Sequence, residues 1–331
     1  HNYKRDVSSA SRLLLFLLRG AETGPIHSLL FRISPYVEHL YAGAESGTVH
    51  IWDLRKSRET LRFTAGNEPC LALRALPEET LVTQGKAGTY KIWKADGSNW
   101  IHNESLESGH VSFCRCELLS PDEQTLLIPL PNSVIGALSL KTLDIVYKLD
   151  PSNLPSGKPP APLGEVMSIK PVGLQGNILV LAAYEGGQVA LWDIKEKSII
   201  SWLDIQECAL TLDFDVNLMR GIVGSVADKL QAFNLNKAHT ISLKSTIPLK
   251  NSGTSVVVIR PDTKVFAAGG WDGRLRIFSF KTLRPLAVLD QHKTSIHDVT
   301  YSDSKVDAWG SKCLMAAGGK DGTVSLWDLY N

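Results

Sequence analysis

The chain alternates short apolar stretches with tight polar turns, and its clearest example lies near the end. Residues 317–328 read Ala-Gly-Gly-Lys-Asp-Gly-Thr-Val-Ser-Leu-Trp-Asp, a short apolar segment, an Asp-Gly turn and an alternating segment that ends in Trp-Asp. Two strands joined by such a turn form a β-hairpin. A lone hairpin is marginally stable in water, so this one predicts a larger sheet.

The same pattern recurs along the chain. Clear copies lie at residues 42–53, 83–93, 183–193 and 269–278, and weaker copies around 135–138 and 230–233. The position of Trp327 is occupied in the other six copies by Trp52, Trp93, Leu138, Trp192, Phe233 and Phe278. Repeats of about 40 to 45 residues that end in Trp-Asp are typical of the WD40 blade, a four-stranded sheet. Seven copies therefore predict an all-β, seven-bladed WD40 β-propeller.

Apolar alternating stretches around each hairpin supply the other strands. The predicted blades cover about residues 21–64, 65–107, 108–150, 165–205, 206–247, 253–291 and 292–331. The last blade lacks an outer strand, and the apolar run 13–19 precedes the first inner strand. We expect residues 13–19 to complete the last blade and close the ring, because closure removes two exposed sheet edges. Residues 151–164, rich in proline, are predicted to be an insertion loop within one propeller domain.

The composition argues against several classes of function without identifying one. The 331 residues include 35 basic and 34 acidic side chains, a balance that argues against nucleic acid or an anionic membrane as the main partner. No apolar run is long enough to span a bilayer. The five scattered cysteines favour reduced, mostly buried thiols of an intracellular protein, and Cys114-x-Cys116 lacks the second ligand pair of a metal site. We expect no cofactor or metal, and a monomer when the protein is alone.

Buried polar residues of WD40 blades are present only in part. In such blades a His before the inner strand, a Ser or Thr in the second strand, the turn Asp and the Trp form a hydrogen-bonded tetrad. The last blade has His292, Asp321 and Trp327, but Ala317 stands at the expected hydroxyl position. Structural roles are accordingly predicted for Trp52, Trp93, Trp192, Trp327, His292, Asp321 and Asp272. No nucleophile elbow, P-loop, HExxH motif or pair of carboxylates occurs in the sequence where the predicted strands and turns would make it a catalytic site. This favours a protein that is not an enzyme.

Protein interaction is the alternative to catalysis. Trp271 lies in a hairpin turn where polar residues are usual. It either packs over a neighbouring turn or anchors an interface, since binding hot spots favour Trp, Tyr and Arg. Tyr184, Glu185, Lys86 and Lys320 are predicted to share its face of the propeller.

A second interaction motif is the segment Trp52-Asp53-Leu54-Arg55. It matches the WDxR pattern by which some WD40 proteins dock onto a cullin ubiquitin-ligase adaptor. A substrate receptor of such a ligase is therefore the alternative function. The structural interpretation of the same residues is that Arg55 is simply a solvent-exposed residue at the end of a strand.

Particular stretches resemble one family. They include 17–20, 47–52, 112–115, 212–215, 259–262, 270–278, 285–289 and 325–330. In order and spacing they resemble the guanine nucleotide-binding protein subunit beta-like protein 1 family, whose fungal counterpart is ASTRA-associated protein 1. The resemblance implies a non-enzymatic adaptor that works with the Tel2-Tti co-chaperone complex in the maturation of PIK-related kinases, in cytoplasm and nucleus. It does not imply a gamma-subunit partner, because residues 2–12 have no heptads.

Overall fold

The computed structural model describes residues 14–18, 22–97, 99–120, 124–154, 162–174 and 176–329. Strand β1 (Leu14–Leu18) precedes the first blade. Blade 1 consists of β2 (Ile26–Ile33), β3 (Glu38–Ala44), β4 (Thr48–Asp53) and β5 (Arg58–Thr64). Blade 2 consists of β6 (Cys70–Leu76), β7 (Thr80–Gly85), β8 (Thr89–Asp96) and β9 (Asn99–Glu107). Blade 3 consists of β10 (Glu117–Ser120), β11 (Thr125–Leu130), β12 (Val134–Ser139) and β13 (Ile145–Leu149).

Four further sheets follow in the same order. Blade 4 consists of β14 (Val166–Leu174), β15 (Asn177–Tyr184), β16 (Gln188–Asp193) and β17 (Ser198–Asp204). Blade 5 consists of β18 (Ala209–Asp215), β19 (Arg220–Ser225), β20 (Lys229–Leu235) and β21 (Ile241–Pro248). Blade 6 consists of β22 (Thr254–Ile259), β23 (Val265–Gly270), β24 (Leu275–Ser279) and β25 (Pro285–Leu289). Blade 7 consists of β26 (Ile296–Tyr301), β27 (Met315–Gly319), β28 (Val324–Trp327) and β1. The all-β, seven-bladed propeller is thereby confirmed.

The chain packs as two compact units. The first comprises described residues of 1–70 and 258–331, and the second those of 71–257. The first unit contains blades 1 and 7 and most of blade 6. The second contains blades 3, 4 and 5 and most of blade 2. The unit boundaries fall inside β6 and β22.

The predicted closure of the ring is confirmed at β1. This strand pairs antiparallel with β28, with Leu14 opposite Trp327 and Leu18 opposite Val324. Leu18 is buried, so the pairing also places an apolar side chain in the core. Leu13 and Arg19, the ends of the predicted strand, lie outside the described residues. The β1–β28 pairing joins the beginning and the end of the chain in one sheet.

Burial explains why the strands differ in sequence pattern. Middle strands such as β15 lie between other strands and neighbouring sheets, and their side chains are almost all buried. They are therefore nearly continuously apolar. The outer strand β5 alternates exposed and partly buried residues along its whole length, which is the pattern of a sheet face that contacts water.

Inner strands of the second unit are tied by ion pairs. The Arg74 guanidinium lies 2.6 Å from the Glu117 carboxylate, and Lys170 Nζ lies 2.6 Å from Asp213. The charge of Asp213 raises the pKa of Lys170 above its ordinary value, against the opposing effect of burial. Opposite charges thus link neighbouring inner strands of the second unit.

A buried arginine holds the end of the described chain. Arg260 follows β22 and donates from Nε and one terminal nitrogen to the two carboxylate oxygens of Asp262, each at 2.8 Å. Its other terminal nitrogen donates to the Leu329 carbonyl oxygen. Burial alone would raise the pKa of Asp262, but the bonds from Arg260 and Lys264 hold it below its ordinary value.

Two segments differ from the regular pattern. Residues Pro151–Asn153 of the proline-rich loop form a 3-10 turn capped by Asp150, which accepts from Ser152 N at 2.8 Å. Residues 155–161 of that loop lie outside the described residues. A second 3-10 turn covers Asp307–Trp309. None of the helices in the described ranges is long and apolar enough to cross a membrane.

Blade 3 corrects a predicted strand. The alternation of residues 113–119 predicts an inner strand there, but β10 begins only at Glu117. The preceding backbone is instead bound by a side chain, since Gln84 Nε2 donates to Cys114 O at 2.9 Å and Gln84 Oε1 accepts from Cys116 N at 2.7 Å. These bonds satisfy backbone groups that a strand would have paired, so residues 108–116 form an ordered loop.

Candidate interaction surfaces

The turn between β23 and β24 presents Trp271. Gly270 N donates to Arg274 O at 3.0 Å, and Gly273 has a φ of 74°, in the left-handed region. A Cβ at Gly273 would lie 2.8 Å from the carbonyl oxygen of His292, so only glycine fits against that backbone. The Trp271 side chain is 48% exposed on this fixed turn.

Backbone contacts link the Trp271 turn to neighbouring turns of the first unit that carry lysines. The Gly273 backbone packs on residues 292–294, Lys293 N donates to Asp321 at 3.2 Å, and Lys320 N donates to Ser295 O at 2.9 Å. These contacts bring Trp271, Arg274, Lys293 and Lys320 onto neighbouring turns. We call these four residues the Trp271 surface. An exposed tryptophan with nearby cations has the composition of a protein-binding hot spot.

Asp272 has a structural partner that the sequence did not suggest. Its carboxylate binds the Arg276 guanidinium in a bidentate pair, at 3.1 Å and 2.6 Å. Arg276 is buried and stands two residues before Phe278, on β24. The turn carboxylate is therefore neutralised by an arginine where a WD40 tetrad uses histidine.

The buried network of blade 7 is complete, which corrects the expectation that Ala317 breaks it. Ser325 lies directly opposite Ala317 on β28 and supplies the hydroxyl. The Ser325 oxygen lies 2.8 Å from His292 Nε2 and accepts from Trp327 Nε1 at 2.8 Å. His292 Nδ1 lies 3.2 Å from both oxygens of Asp321. The hydroxyl has moved to the facing strand and the chain of hydrogen bonds is kept.

The other tryptophans of the repeat are buried too. Trp93 Nε1 donates to Thr83 Oγ1 at 3.0 Å. Trp52 is buried and stacks on His50, with ring centroids 5.8 Å apart. Trp192 Nε1 donates to the hydroxyl of Tyr184 at 2.9 Å.

The placement of Tyr184 at the interaction surface is wrong. Its side chain is fully buried in the core of the second unit, where it packs with Cys114 and Trp192. Burial raises its pKa above the ordinary value, so the hydroxyl stays protonated and accepts the indole hydrogen bond. Turn residues were expected to point outward, but Tyr184 is the last residue of β15 and faces inward.

Lys86 and Glu185 lie on turns of the second unit, and Lys86 contacts a loop for which the sequence pattern predicted no role in binding. Lys86 Nζ lies 4.6 Å above the centre of the Phe113 ring, and Lys86 O accepts from Ser112 N at 3.1 Å. Phe113 is 67% exposed and Val111 is 64% exposed. Glu185 is exposed on the turn after Tyr184.

The loop connects to that acidic turn through His110. The His110 ring lies 3.0 Å from the Glu165 carboxylate, and Glu185 accepts from Glu165 N at 3.1 Å. Residues Lys86, Val111, Phe113, Glu165 and Glu185 make up what we call the Phe113 surface. Placement of all the predicted contact residues on one common face stays a prediction.

Arg55 of the WDxR motif is engaged within the first unit. Its Nε donates to Glu38 at 3.1 Å, and its terminal nitrogens donate to the carbonyl oxygens of Tyr36 and Pro35. Glu38 is buried and also accepts from the backbone of Asp307 at 2.6 Å. These bonds fasten the turn before β3 to blade 7, and they explain the arginine without a ligase adaptor.

The cysteines show no sign of activation. Burial raises the pKa of Cys70 to about 12 and that of Cys114 well above its ordinary value, so both thiols stay protonated. All five cysteines are free, and three are buried. Within the described ranges no group of three or more His, Cys, Asp or Glu side chains is arranged to hold a metal ion.

Fold and repeats define a WD40-repeat propeller protein. The family model "WD domain, G-beta repeat" matches residues 245–279 and 283–328. The chain is 31% identical over 297 residues to guanine nucleotide-binding protein subunit beta-like protein 1 of Mus musculus, covering 88% of this chain and 87% of the relative. The chain therefore belongs to the guanine nucleotide-binding protein subunit beta-like protein 1 family.

Fungal relatives carry a different name. The chain is 22% identical to ASTRA-associated protein 1 of Verticillium alfalfae, over 95% of this chain and 92% of the relative. It is 24% identical to the protein of that name from Schizosaccharomyces pombe, over 95% of this chain and 98% of the relative. The similarity to both thus extends along nearly the whole chain.

Proposed function

We propose that the protein is a non-enzymatic adaptor that helps PIK-related kinases reach their stable form, together with the Tel2-Tti co-chaperone complex. The observation that carries the proposal is the full-length similarity to proteins named for association with ASTRA. The family resemblance implies the kinases and the co-chaperone complex as partners. A WD40 propeller suits this role because its rigid blades hold turns at fixed positions for protein contacts.

The Trp271 surface is the proposed contact site. Its turn is fixed by hydrogen bonds, so an exposed tryptophan is presented with little loss of conformational entropy on binding. Lys293 and Lys320 are exposed on the neighbouring turns and add positive charge there, whereas Arg274 lies 3.8 Å from the Asp272 carboxylate. The protein is proposed to act as a monomer, which size-exclusion chromatography would test. It is also proposed to act in both cytoplasm and nucleus, which cell fractionation would test.

The decisive experiment replaces the endogenous protein with a Trp271→Ala, Lys320→Glu double variant. Co-precipitated Tel2-Tti and kinase are expected to fall by about tenfold or more, the effect of removing a tryptophan hot spot. Steady-state kinase levels should fall with them. Tyr36→Ala is the matched control, because Tyr36 is an aromatic residue of the same unit that is 88% exposed on the turn between β2 and β3 and is not part of the Trp271 surface.

Two outcomes separate the parts of the proposal. Wild-type protein that captures neither kinases nor the co-chaperone complex would contradict the function itself. Normal capture by the folded double variant would leave the function standing and place the contact elsewhere on the propeller.

A further inference from the structure

The Phe113 surface combines two features that point to one kind of partner. Val111 and Phe113 are the exposed apolar side chains of a single loop, at 64% and 67% exposure. Large apolar side chains exposed together mark interaction sites more often than isolated ones do. Their loop is rigid, since Gln84 binds the backbone of Cys114 and Cys116 and Lys86 O accepts from Ser112 N. An anchor held in this way loses little entropy when a partner binds.

Acidic side chains continue the surface away from Phe113. Glu165 and Glu185 are exposed and joined by a hydrogen bond of 3.1 Å from Glu165 N to the Glu185 carboxylate. The turn that carries Glu185 packs on the backbone of Glu207, because a Cβ at Gly187 would lie 3.0 Å from Glu207 O. Lys229 Nζ lies 4.0 Å from Glu207 and offsets its charge, and His110 Nε2 lies 3.0 Å from Glu165.

A buried acceptor lies beneath the same turn. Gln188 is 5% exposed, and its Oε1 has no hydrogen-bond partner in the described structure. This oxygen lies 2.7 Å from the position that a Cβ at Gly186 would occupy, so it sits directly under the turn of Glu185. Because this oxygen is buried, the exposed carboxylates are the groups available to a bound partner, and they call for one rich in hydrogen-bond donors.

We propose that the Phe113 surface binds a linear segment of a partner protein in which an apolar residue is followed by Arg or Lys. The apolar residue packs against Phe113 and Val111, and the basic residues lie over Glu165, Glu185 and Glu207. Charge complementarity selects the basic segment over an acidic one. The inference rests on the protein being an adaptor, but not on the identity of the kinases or the co-chaperone complex, and it uses a surface separate from Trp271.

The test uses the isolated full chain and a displayed library of random linear peptides. Peptides enriched on the wild-type protein are expected to share an apolar residue next to Arg or Lys. The enriched peptides are then synthesised with a fluorescent label. Their affinity for Phe113→Ala should be lower than that for the wild-type protein by a factor of about ten or more, the effect of removing a hot-spot residue. Glu185→Gln keeps the acceptor for Glu165 N but removes the charge, so it should weaken binding several-fold and flatten its salt dependence.

Ile101→Ala is the matched control, because Ile101 is 52% exposed on β9 of the same unit. Thermal melting of each variant checks that it is folded. The proposal is overturned by a library that yields no binder, by binders rich in Asp and Glu, or by binders that Phe113→Ala leaves unaffected. None of these results depends on kinase maturation, so failure here leaves the proposed function intact.

Discussion

At the scale of single residues, the blade 7 network shows that a buried hydrogen-bond chain tolerates a change of strand. Ala317 and Ser325 are cross-strand neighbours, so a hydroxyl on either reaches the space between His292 and Trp327. A comparison of blades that looks for the hydroxyl at one position of the second strand therefore does not find the serine that replaces it on the facing strand. The directly opposed pair in an antiparallel sheet is the unit to compare.

Asp321 gives this network a pH dependence. Burial alone would raise its pKa, but the charge of His292 and the bonds from Thr323 hold the pKa below its ordinary value. A carboxyl with a lowered folded pKa stabilises the fold above its unfolded pKa of about 3.9, and that stabilisation is lost as the pH falls through the folded pKa. Asp321→Asn should therefore reduce the free energy of unfolding by about 1–3 kcal/mol near neutral pH. The difference from wild type should shrink toward about pH 3 in urea denaturation.

The exposed Asp290 provides the comparison for this measurement, since Asp290→Asn should leave stability nearly unchanged at every pH. A difference between wild type and Asp321→Asn that stays constant across the acid range would contradict the assigned role of the carboxylate.

Sequence patterns predicted the repeat positions well and the orientation of turn-flanking residues less well. Trp52, Trp93, Trp192 and Trp327 are buried as predicted, because an apolar period of two fixes the core face of a strand. Tyr184 was misplaced because its inward direction depends on a side-chain contact with Trp192, eight residues along the chain on the facing strand of the hairpin. Local pattern carries no information about such a contact.

At the scale of elements, the loop before β10 shows a side chain replacing strand pairing. Alternation alone would have placed the Phe113 side chain on the other face of the strand from the Cys114 and Cys116 thiols. Because those thiols are buried, Phe113 would then face solvent. What the sequence could not reveal is the role of Gln84, which comes from another blade and binds the backbone of Cys114 and Cys116, so that β10 begins only at Glu117. The signal for the Phe113 surface was thus present in the cysteine spacing, but its rigidity was not.

Gln84→Leu should accordingly destabilise the protein. Gln84 is 1% exposed, and its loss removes the donor to Cys114 O and the acceptor for Cys116 N. Each hydrogen-bond partner lost to a buried group costs about 1–3 kcal/mol, so a loss of about 2–6 kcal/mol in the free energy of unfolding is expected by urea denaturation. Gln188→Leu should change stability by less than about 1 kcal/mol, because the Gln188 Oε1 has no partner to lose. Equal effects of the two substitutions would refute the bracing role of Gln84.

At the scale of the whole molecule, the two ends of the chain meet in one blade. A propeller without β1 would expose the backbone of β28 along Val324–Trp327, and unpaired edges invite association between copies. It would also lack the buried Leu18 side chain and uncover Leu326, which is buried in the intact sheet. The ring therefore couples folding of the first strand to completion of the last blade.

Deleting residues 1–18 should expose both consequences, with deletion of residues 1–13 as the matched control that keeps β1. Loss of the buried Leu18 side chain contributes about 1.5–3 kcal/mol and loss of the β1–β28 hydrogen bonds adds about 0.5–1.5 kcal/mol each. A decrease of several kcal/mol in the free energy of unfolding is thus expected, together with concentration-dependent association in light scattering. The shorter deletion should show neither change. Equal stability and a monomeric state for both truncated chains would mean that β28 does not need β1, and that blade 7 holds the ring with three strands.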